Sequence, residues 1–449
     1  MKAKCLRTCV IILFGCHAMC PAFSAAQQAP APPATPSATL PLTLKQAVEL
    51  ALKQNPQRVI AKILVSESDR NSQIARSALL PQAGLAGLAS LNQYNLQSVE
   101  TQPHPVDAGP YQYGQVGPTF SLNILSLPLI RDYQIGREGS KLSRADEKTT
   151  REIVVLTIVN QYLLILRAIA DRDATQSRVA LAQRLYDQAA ELQKTGIGLN
   201  IDTVRANVEL QNEKQNLIDA ETATHTTKYA LAALLDLSRD QNVEVTDKLE
   251  FYDLPEMQKD ALVTQALVSR PEMRSFDSQQ RIAHLATDAS GEQRLPKIDF
   301  SGFWAYQGKH FNDGVPAYNY TLSLEIPLFT GGRIHAEQAK AKLEEQRIAE
   351  NRRQLEAQIV SEVKTAFDQL QAARTSVDVA NLGYTLAQEE VAQAQRRFAA
   401  GVTTNVEVIT AQDALARASD NQIAALYQFN LARASLARAT GEIESMYTK

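Results

Sequence analysis

The chain has 449 residues, 45% of them apolar and 21% charged, with a formal net charge of −3. A balance this mildly acidic argues against nucleic acid as a partner. All four cysteines (Cys5, Cys9, Cys16, Cys20) lie near the N-terminus, so the rest of the chain offers no thiol for a disulfide, a metal or a nucleophile.

Residues 1–26 have the layout of a secretory signal peptide: Lys2, Lys4 and Arg7, an apolar run from Cys9 to Phe14, then small residues at Ala22, Ser24, Ala25 and Ala26. Removing its three cations leaves a mature charge of −6. Cys16 ends a loose lipoprotein-like box, Leu13-Phe14-Gly15-Cys16, in which Phe14 fits badly; cleavage near Ser24 to Ala26 is the preferred reading and lipidation at Cys16 the other. Residues 27–41 are rich in Pro and Ala without an apolar period and read as an extended tether. The remainder shows no apolar run of 18 residues, so no transmembrane helix is expected.

The mature chain says nearly the same thing twice. Asn55-Pro56 and Leu80-Pro81 recur as Arg270-Pro271 and Leu295-Pro296 at one offset, each pair enclosing a long amphipathic stretch. Leu127-Pro128-Leu129 is echoed by Ile326-Pro327-Leu328, and Gly196-Ile197-Gly198-Leu199-Asn200-Ile201-Asp202 by Gly401-Val402-Thr403-Thr404-Asn405-Val406-Glu407. Four landmarks in one order describe a duplication, with units at 42–250 and 251–449.

Within each unit, two segments are candidates for strands: about 83–93 and 113–126, then about 297–307 and 317–327. Ile298, Phe300, Gly302, Trp304 and Tyr306 alternate with polar residues, as do Tyr318, Tyr320, Leu322, Leu324 and Ile326, and Val116, Pro118, Phe120, Leu122 and Ile124; the first segment is Gly- and Ala-rich and weaker. Segments of about 9 to 11 residues suit tilted strands crossing a bilayer, and Trp304, Tyr306, Tyr318 and Tyr320 gather where an interfacial aromatic girdle belongs. A half-buried soluble hairpin would alternate equally well.

The stretches from about Asp132 to Lys194 and Ile334 to Ala399 decide between them: neither contains proline, and both keep a helical apolar period. Some 60 to 66 helical residues would make a rod of roughly 90 to 100 Å, too long for a compact domain. Each should end in a Gly turn (195–202 and 400–407) and restart as a returning helix. The expected class is an α+β membrane protein built from a duplicated helix-strand-strand-helix-helix unit. The rods carry a wide, Ala-rich apolar stripe rather than a narrow heptad seam, which favours a ring of helices around water.

The motifs LTLKQAVELALKQNPQ, LLPQ, IPLFTGGR (Ile326 to Arg333) and RFAAGVTTNVEVITAQ (Arg397 to Gln412) together resemble the TolC-like outer-membrane efflux proteins, from about Thr43 to Glu442. The resemblance implies a homotrimer whose chains share one twelve-stranded outer-membrane barrel, continued by a periplasmic α-helical barrel. Such proteins are passive exit ducts for efflux or type I secretion, without a cofactor. Their implied partners are a periplasmic adaptor (membrane fusion) protein, an inner-membrane RND, ABC or MFS transporter, and outer-membrane lipid.

The same resemblance puts control at the two turns. Gly196, Ile197, Gly198, Asn200, Gly401, Val402, Thr403 and Asn405 would form an adaptor-docking tip, with Asp202, Glu407 and Phe398 at a periplasmic gate. Three copies of an inward carboxylate make a cation-favouring ring. Thr410 departs from the second gate acid that some members carry. Asp202 and Glu407 read equally well as ordinary acids at helix N-termini, and Arg205 is placed to pair with Asp202.

Enzyme readings fare poorly. His335-Ala336-Glu337 has the look of a deaminase fragment, but the mature chain lacks the cysteines for its zinc. The mature histidines are scattered without ligand spacing, no HExxH, P-loop or GxSxG occurs, and Gly331-Gly332 is a strand-to-helix turn. The alternative function is a soluble periplasmic coiled-coil adaptor or scaffold, which would need a β-domain between its helix arms. The segment from Leu237 to Asp260 is too short for one, and cargo and pump are not written in the chain. The loop from about Gln93 to Tyr111 is longer than its counterpart at Gly308 to Pro316 and is expected to face the cell exterior.

Overall fold

The computed structural model describes residues 40–95, 107–196, 198–238, 241–253, 255–310 and 313–448. Residues 1–39, with the expected leader, Cys16 and most of the tether, lie outside the described residues, as do Ile197 and residues 96–106, which hold most of the expected exterior loop. The first unit runs β1 (Leu40–Leu42), α1 (Leu44–Gln54), α2 (Pro56–Ser77), β2 (Gln82–Asn95), β3 (Asp107–Leu125), α3 (Leu127–Lys194), α4 (Asn200–Leu234) and β4 (Val243–Val245). The second repeats it as α5 (Lys259–Ser269), α6 (Pro271–Glu292), β5 (Lys297–Gly308), β6 (Val315–Glu325), α7 (Arg333–Ala399) and α8 (Asn405–Ala439). A short α9 (Ile443–Thr448) follows.

Several boundaries differ from the sequence expectation, and the clearest lie at prolines. β3 starts at Asp107 because Pro110 falls where the β2–β3 register shifts, the irregular position at which a strand tolerates a missing N–H. α3 starts at Leu127 rather than Asp132, since Pro128 sits in the first turn, where no intrahelical donor is needed. β6 stops at Glu325, leaving Ile326 and Pro327 in the connection. The tether also ends early: Leu40 and Pro41 belong to β1, which pairs in parallel with β4.

Helices α3 and α7, of 68 and 67 residues, are each about 100 Å long at 1.5 Å per residue. Their returning partners α4 and α8 have 35 residues each, so they cover only the half nearer the turns. α2 and α6 pack along the other half, towards the sheet.

Apolar packing is concentrated in three places. Val154, Val155, Ile158, Val159, Tyr162 and Ile165 of α3 meet Ala47, Val48 and Ala51 of α1, Leu231 of α4 and Ile443 of α9. Ile359, Val363, Leu370 and Val377 of α7 meet Ala266 of α5 and Phe429 of α8, the equivalent site one unit later. The third cluster lies at the turns. Contrary to the expectation from sequence, α3 holds an 18-residue window of mean hydropathy 2.0, apolar enough to cross a membrane by composition. Half of that window is buried within the protein, which explains its composition without lipid.

Candidate functional site: the sheet face and the helical tip

Strands β2, β3, β5 and β6 form one antiparallel sheet in that order. Its register sorts side chains by face. Trp304 opposes Tyr318, Phe300 opposes Leu322 and Ile298 opposes Leu324, while Leu122 of β3 opposes Phe300. Residues directly opposite share a face, so these positions make one apolar surface. The opposite surface carries Ser121 beside Ser301 and Asp299 beside Ser323. The apolar side is exposed: Leu85, Trp304, Tyr318, Tyr320, Leu322 and Leu324 all are. A soluble hairpin pair would bury such a surface against a core.

Trp304, Tyr306 and Tyr318 lie towards the loop end of the sheet, with Tyr320 beside them at mid-strand, opposite Gly302. Trp304 and Tyr306 meet edge to face at 5.4 Å, and Tyr318 and Tyr320 stack at 5.8 Å. Gly302 makes room for this packing, since a Cβ there would come within 2.6 Å of the Asn319 carbonyl and against the Tyr320 ring.

At the far end of the rods, Gly196 and Gly401 take φ of 75° and 67°, the left-handed conformation that ends a helix cheaply only with glycine. Gly401 N donates to Phe398 O at 3.0 Å and Val402 N to Arg397 O at 3.0 Å; Gly198 N donates to Leu192 O at 2.8 Å. Gly198 is needed for close approach, because a Cβ there would lie 2.9 Å from the Leu192 carbonyl carbon and the Gln193 nitrogen.

The two turns are joined to each other. Asn405 is fully buried, and its Nδ2 donates to the Asp202 carbonyl oxygen at 2.9 Å, while its Oδ1 has no hydrogen-bond partner among the described residues. Around it Leu185, Ala189, Ala206, Val391, Ala394, Phe398, Val408 and Ala411 form the third cluster. Asn405 is therefore no docking surface, and Phe398 is packed inside the tip rather than free. Val402 is exposed, and Gly196, Asn200 and Gly401 lie at the surface.

Both expected gate acids sit in the first turn of a returning helix. Asp202 lies 3.7 Å from Arg205, the pairing expected from spacing. Glu407 lies 3.0 Å from Arg397 of the descending helix and accepts from the Thr403 hydroxyl. Arg397 escaped the sequence reading, although four residues before the turn glycine and six after it are brought together by any tight hairpin.

A third group has no sequence signal at all. Arg438 of α8 approaches Glu152 of α3 at 2.9 Å and pairs with Glu272 of α6, and Arg270 bridges Glu272 at 3.2 Å to Glu362 of α7 at 2.5 Å. Glu152 and Arg438 face each other out of hydrogen-bonding alignment. Burial pushes the Glu152 carboxyl up to about 7, only partly opposed by Arg438. Burial also acts against ionised Glu272, but Arg270 and Arg438 outweigh it and hold that carboxyl down to about 2. This knot ties the two units together midway along the molecule.

Comparison with known proteins decides the family. A profile described as "Outer membrane efflux protein" matches residues 47–236 and 262–442, one stretch in each unit. The chain belongs to the outer-membrane efflux protein family. It is 23% identical to the outer membrane protein TolC of Escherichia coli K12 over 427 residues, covering 89% of this chain and 82% of TolC. It is also 23% identical to the pyoverdine export outer membrane protein OpmQ of Pseudomonas putida over 420 residues, 88% of this chain and 84% of OpmQ. Its fold matches the Campylobacter jejuni CmeC outer membrane channel with a TM-score of 0.78 at 18% identity, covering 89% of this chain and 86% of CmeC. The Vibrio cholerae outer membrane protein VceC gives 0.74 at 17%, covering 89% and 96%. Membership places the efflux protein in the outer membrane, with its helical part in the periplasm. The family is one of channels, not enzymes. The adaptor alternative is set aside, since among the described residues the segment between α4 and α5 holds only the three-residue β4.

Proposed function

We propose that the chain is the passive outer-membrane exit duct of a tripartite efflux pump or type I secretion system, working as a homotrimer. The observation that carries this is the sheet: four strands of 11 to 19 residues with an exposed apolar face and two long outer strands, β2 and β6, beyond which no further strand lies among the described residues. Unpaired backbone groups are not tolerated in hydrocarbon, so each edge needs a strand from another copy. Three chains closing in this way give a twelve-stranded barrel, and the paired rods below continue it as a helical tunnel.

The tip turns are the place where an adaptor docks and an RND, ABC or MFS transporter is coupled. Docking opens the tip by separating the first turn from the second. Asn405 is the hydrogen-bonded link that must then yield, and Asp202 and Glu407 are the carboxylates that a widening tip offers to the passage. Their present partners, Arg205 and Arg397, are exposed enough for such pairs to be weak.

Planar-bilayer conductance of the detergent-purified protein, with its mass in solution, tests the whole reading. A trimer of small, cation-preferring conductance is expected, and Asp202→Asn with Glu407→Gln should raise conductance and reduce cation preference. Unchanged selectivity in that variant removes the gate assignment. A monomer that stays soluble without detergent and never conducts removes the duct itself.

A further inference from the structure

The two strand-to-helix passages are equivalent by repeat but built differently. In the first unit β3 ends at Leu125 and α3 begins at Leu127, so Leu127-Pro128-Leu129 is already helix and half-buried. In the second unit β6 ends at Glu325 and α7 waits until Arg333, held off by Gly331 and Gly332 at φ of 60° and 84°. The intervening corner throws two side chains out: Leu328 is 94% exposed and Phe329 90%, more than any other large apolar residue described.

We infer that the Leu328-Phe329 corner is an interfacial anchor that enters the glycerophospholipid leaflet at the periplasmic edge of the sheet. This rests on the sheet being a barrel wall, and three observations select lipid as the occupant. The corner continues an apolar surface already assigned to lipid, through exposed Leu322, Leu324 and Ile326. Exposed Leu80 and Leu295, at the feet of β2 and β5, extend the same collar. The charges that flank the corner along the chain, Glu325 and Arg333, are already paired, with Lys297 at 2.7 Å and Glu337 at 2.8 Å, and the nearby Arg294 donates to Gln338 Oε1 and to the Gly291 carbonyl. Contact is therefore by apolar insertion rather than by capture of a headgroup phosphate.

The span agrees. From Lys297 to Tyr306, nine steps of about 3.3 Å tilted by about 40° rise roughly 23 Å, close to the apolar band of about 25 Å that a membrane barrel presents. The aromatic residues Trp304, Tyr306 and Tyr318 stand towards one border of that band, with Tyr320 nearer its middle. Among the described residues of the sheet no Trp or Tyr marks the other border, where Leu328 and Phe329 stand. Two bare apolar side chains at that level would be held as the apolar face of an interfacial helix is, by the area they bury at the headgroup boundary.

The chain has a single tryptophan, Trp304, which makes the test direct. The full chain is reconstituted in phosphatidylcholine vesicles brominated either high or low on the acyl chains, and tryptophan emission is read. Trp304 of the unaltered protein reports the sheet face, and Phe329→Trp in a Trp304→Phe background reports the corner, with Leu328→Trp as a second reporter. Expected is loss of roughly half the corner emission with lipid brominated near the headgroup, and less with deep bromines. If Trp304 is quenched while both corner reporters are not, a second copy or other protein covers the corner and the anchor falls although the barrel stands. If Trp304 is unquenched as well, the barrel wall and the anchor fall together.

Discussion

The two units share a helix-helix-strand-strand-helix-helix order, yet they use matching positions for different purposes. In the first, Asn55 caps α2 through Gln57 N at 2.9 Å and Arg58 N at 3.4 Å, and its Nδ2 reaches back to Leu234 O at 2.8 Å. In the second, the same position is Arg270, which caps nothing and instead bridges Glu272 and Glu362. One small side chain thus satisfies backbone groups at the start of its own helix and at the end of α4, while its counterpart joins α6 to α7 by charge. A duplicated chain that must form one asymmetric wall can fix each unit by its own device.

The largest effect should come from the charged joint. Above pH 7, where Glu152 is ionised, Arg438→Ala takes from Glu152 its nearest cation and from Glu272 one of its two, and such losses in a buried group cost about 3–5 kcal/mol. Thermal unfolding in detergent should show the drop. A Glu152→Gln change in the same background should recover part of it, since one of the stranded charges is then gone.

The same joint gives a pH dependence with two limbs. Glu152 has a folded-state pKa of about 7 against 4.5 unfolded, so the fold binds the proton more tightly and is destabilised as pH rises from about 4.5 to 7. At 1.36 kcal/mol per unit the limb is at most about 3 kcal/mol. Glu272, at about 2, contributes stability above 4.5 that is lost as pH falls towards 2. Tm should therefore peak near pH 4.5, and Glu152→Gln should flatten the upper limb only. A curve that still falls between pH 5 and 7 in that variant would assign the limb to another group.

Much of this architecture is written locally. The period of α7, the alternation in β5 and β6, and the turn glycines Gly196 and Gly401 each impose a conformation on their own neighbours, so they are readable from sequence. Prolines misled at Pro110 and Pro128 because a register shift and a first helical turn excuse them, and neither exemption is visible before strand pairing or helix start is known. Arg205 with Asp202 was legible because helical spacing alone brings them together. Asn405 with the Asp202 carbonyl, and Arg438 with Glu152, join residues more than 200 apart, and only the folded backbone makes them neighbours.

The Asn55 and Arg270 contrast sharpens at a smaller scale. Asn55→Ala removes an N-cap and the bond to Leu234 O, together about 2 kcal/mol. Arg270→Ala should cost more, because largely buried Glu272 loses one of its two cations and half-exposed Glu362 loses its link to α6. Equal costs, read from Tm, would mean that the two positions serve the same local purpose after all.

The smallest effect separates the two passages themselves. Gly332→Ala puts a Cβ at φ of 84°, a penalty of roughly 1 kcal/mol. No atom lies within 4 Å of that Cβ, so the cost is conformational and not a clash. Relief comes if the backbone there turns right-handed, which would let α7 start earlier and wind part of the corner into helix, as Leu127 to Leu129 are wound in the first unit. Carried by the Phe329→Trp reporter, Gly332→Ala should then weaken quenching by headgroup-level bromines while leaving a separate Trp304 measurement unchanged. Quenching that stays the same would mean that Leu328 and Phe329 are held out by Pro327 and Gly331 alone, and that the second glycine serves only the start of the rod.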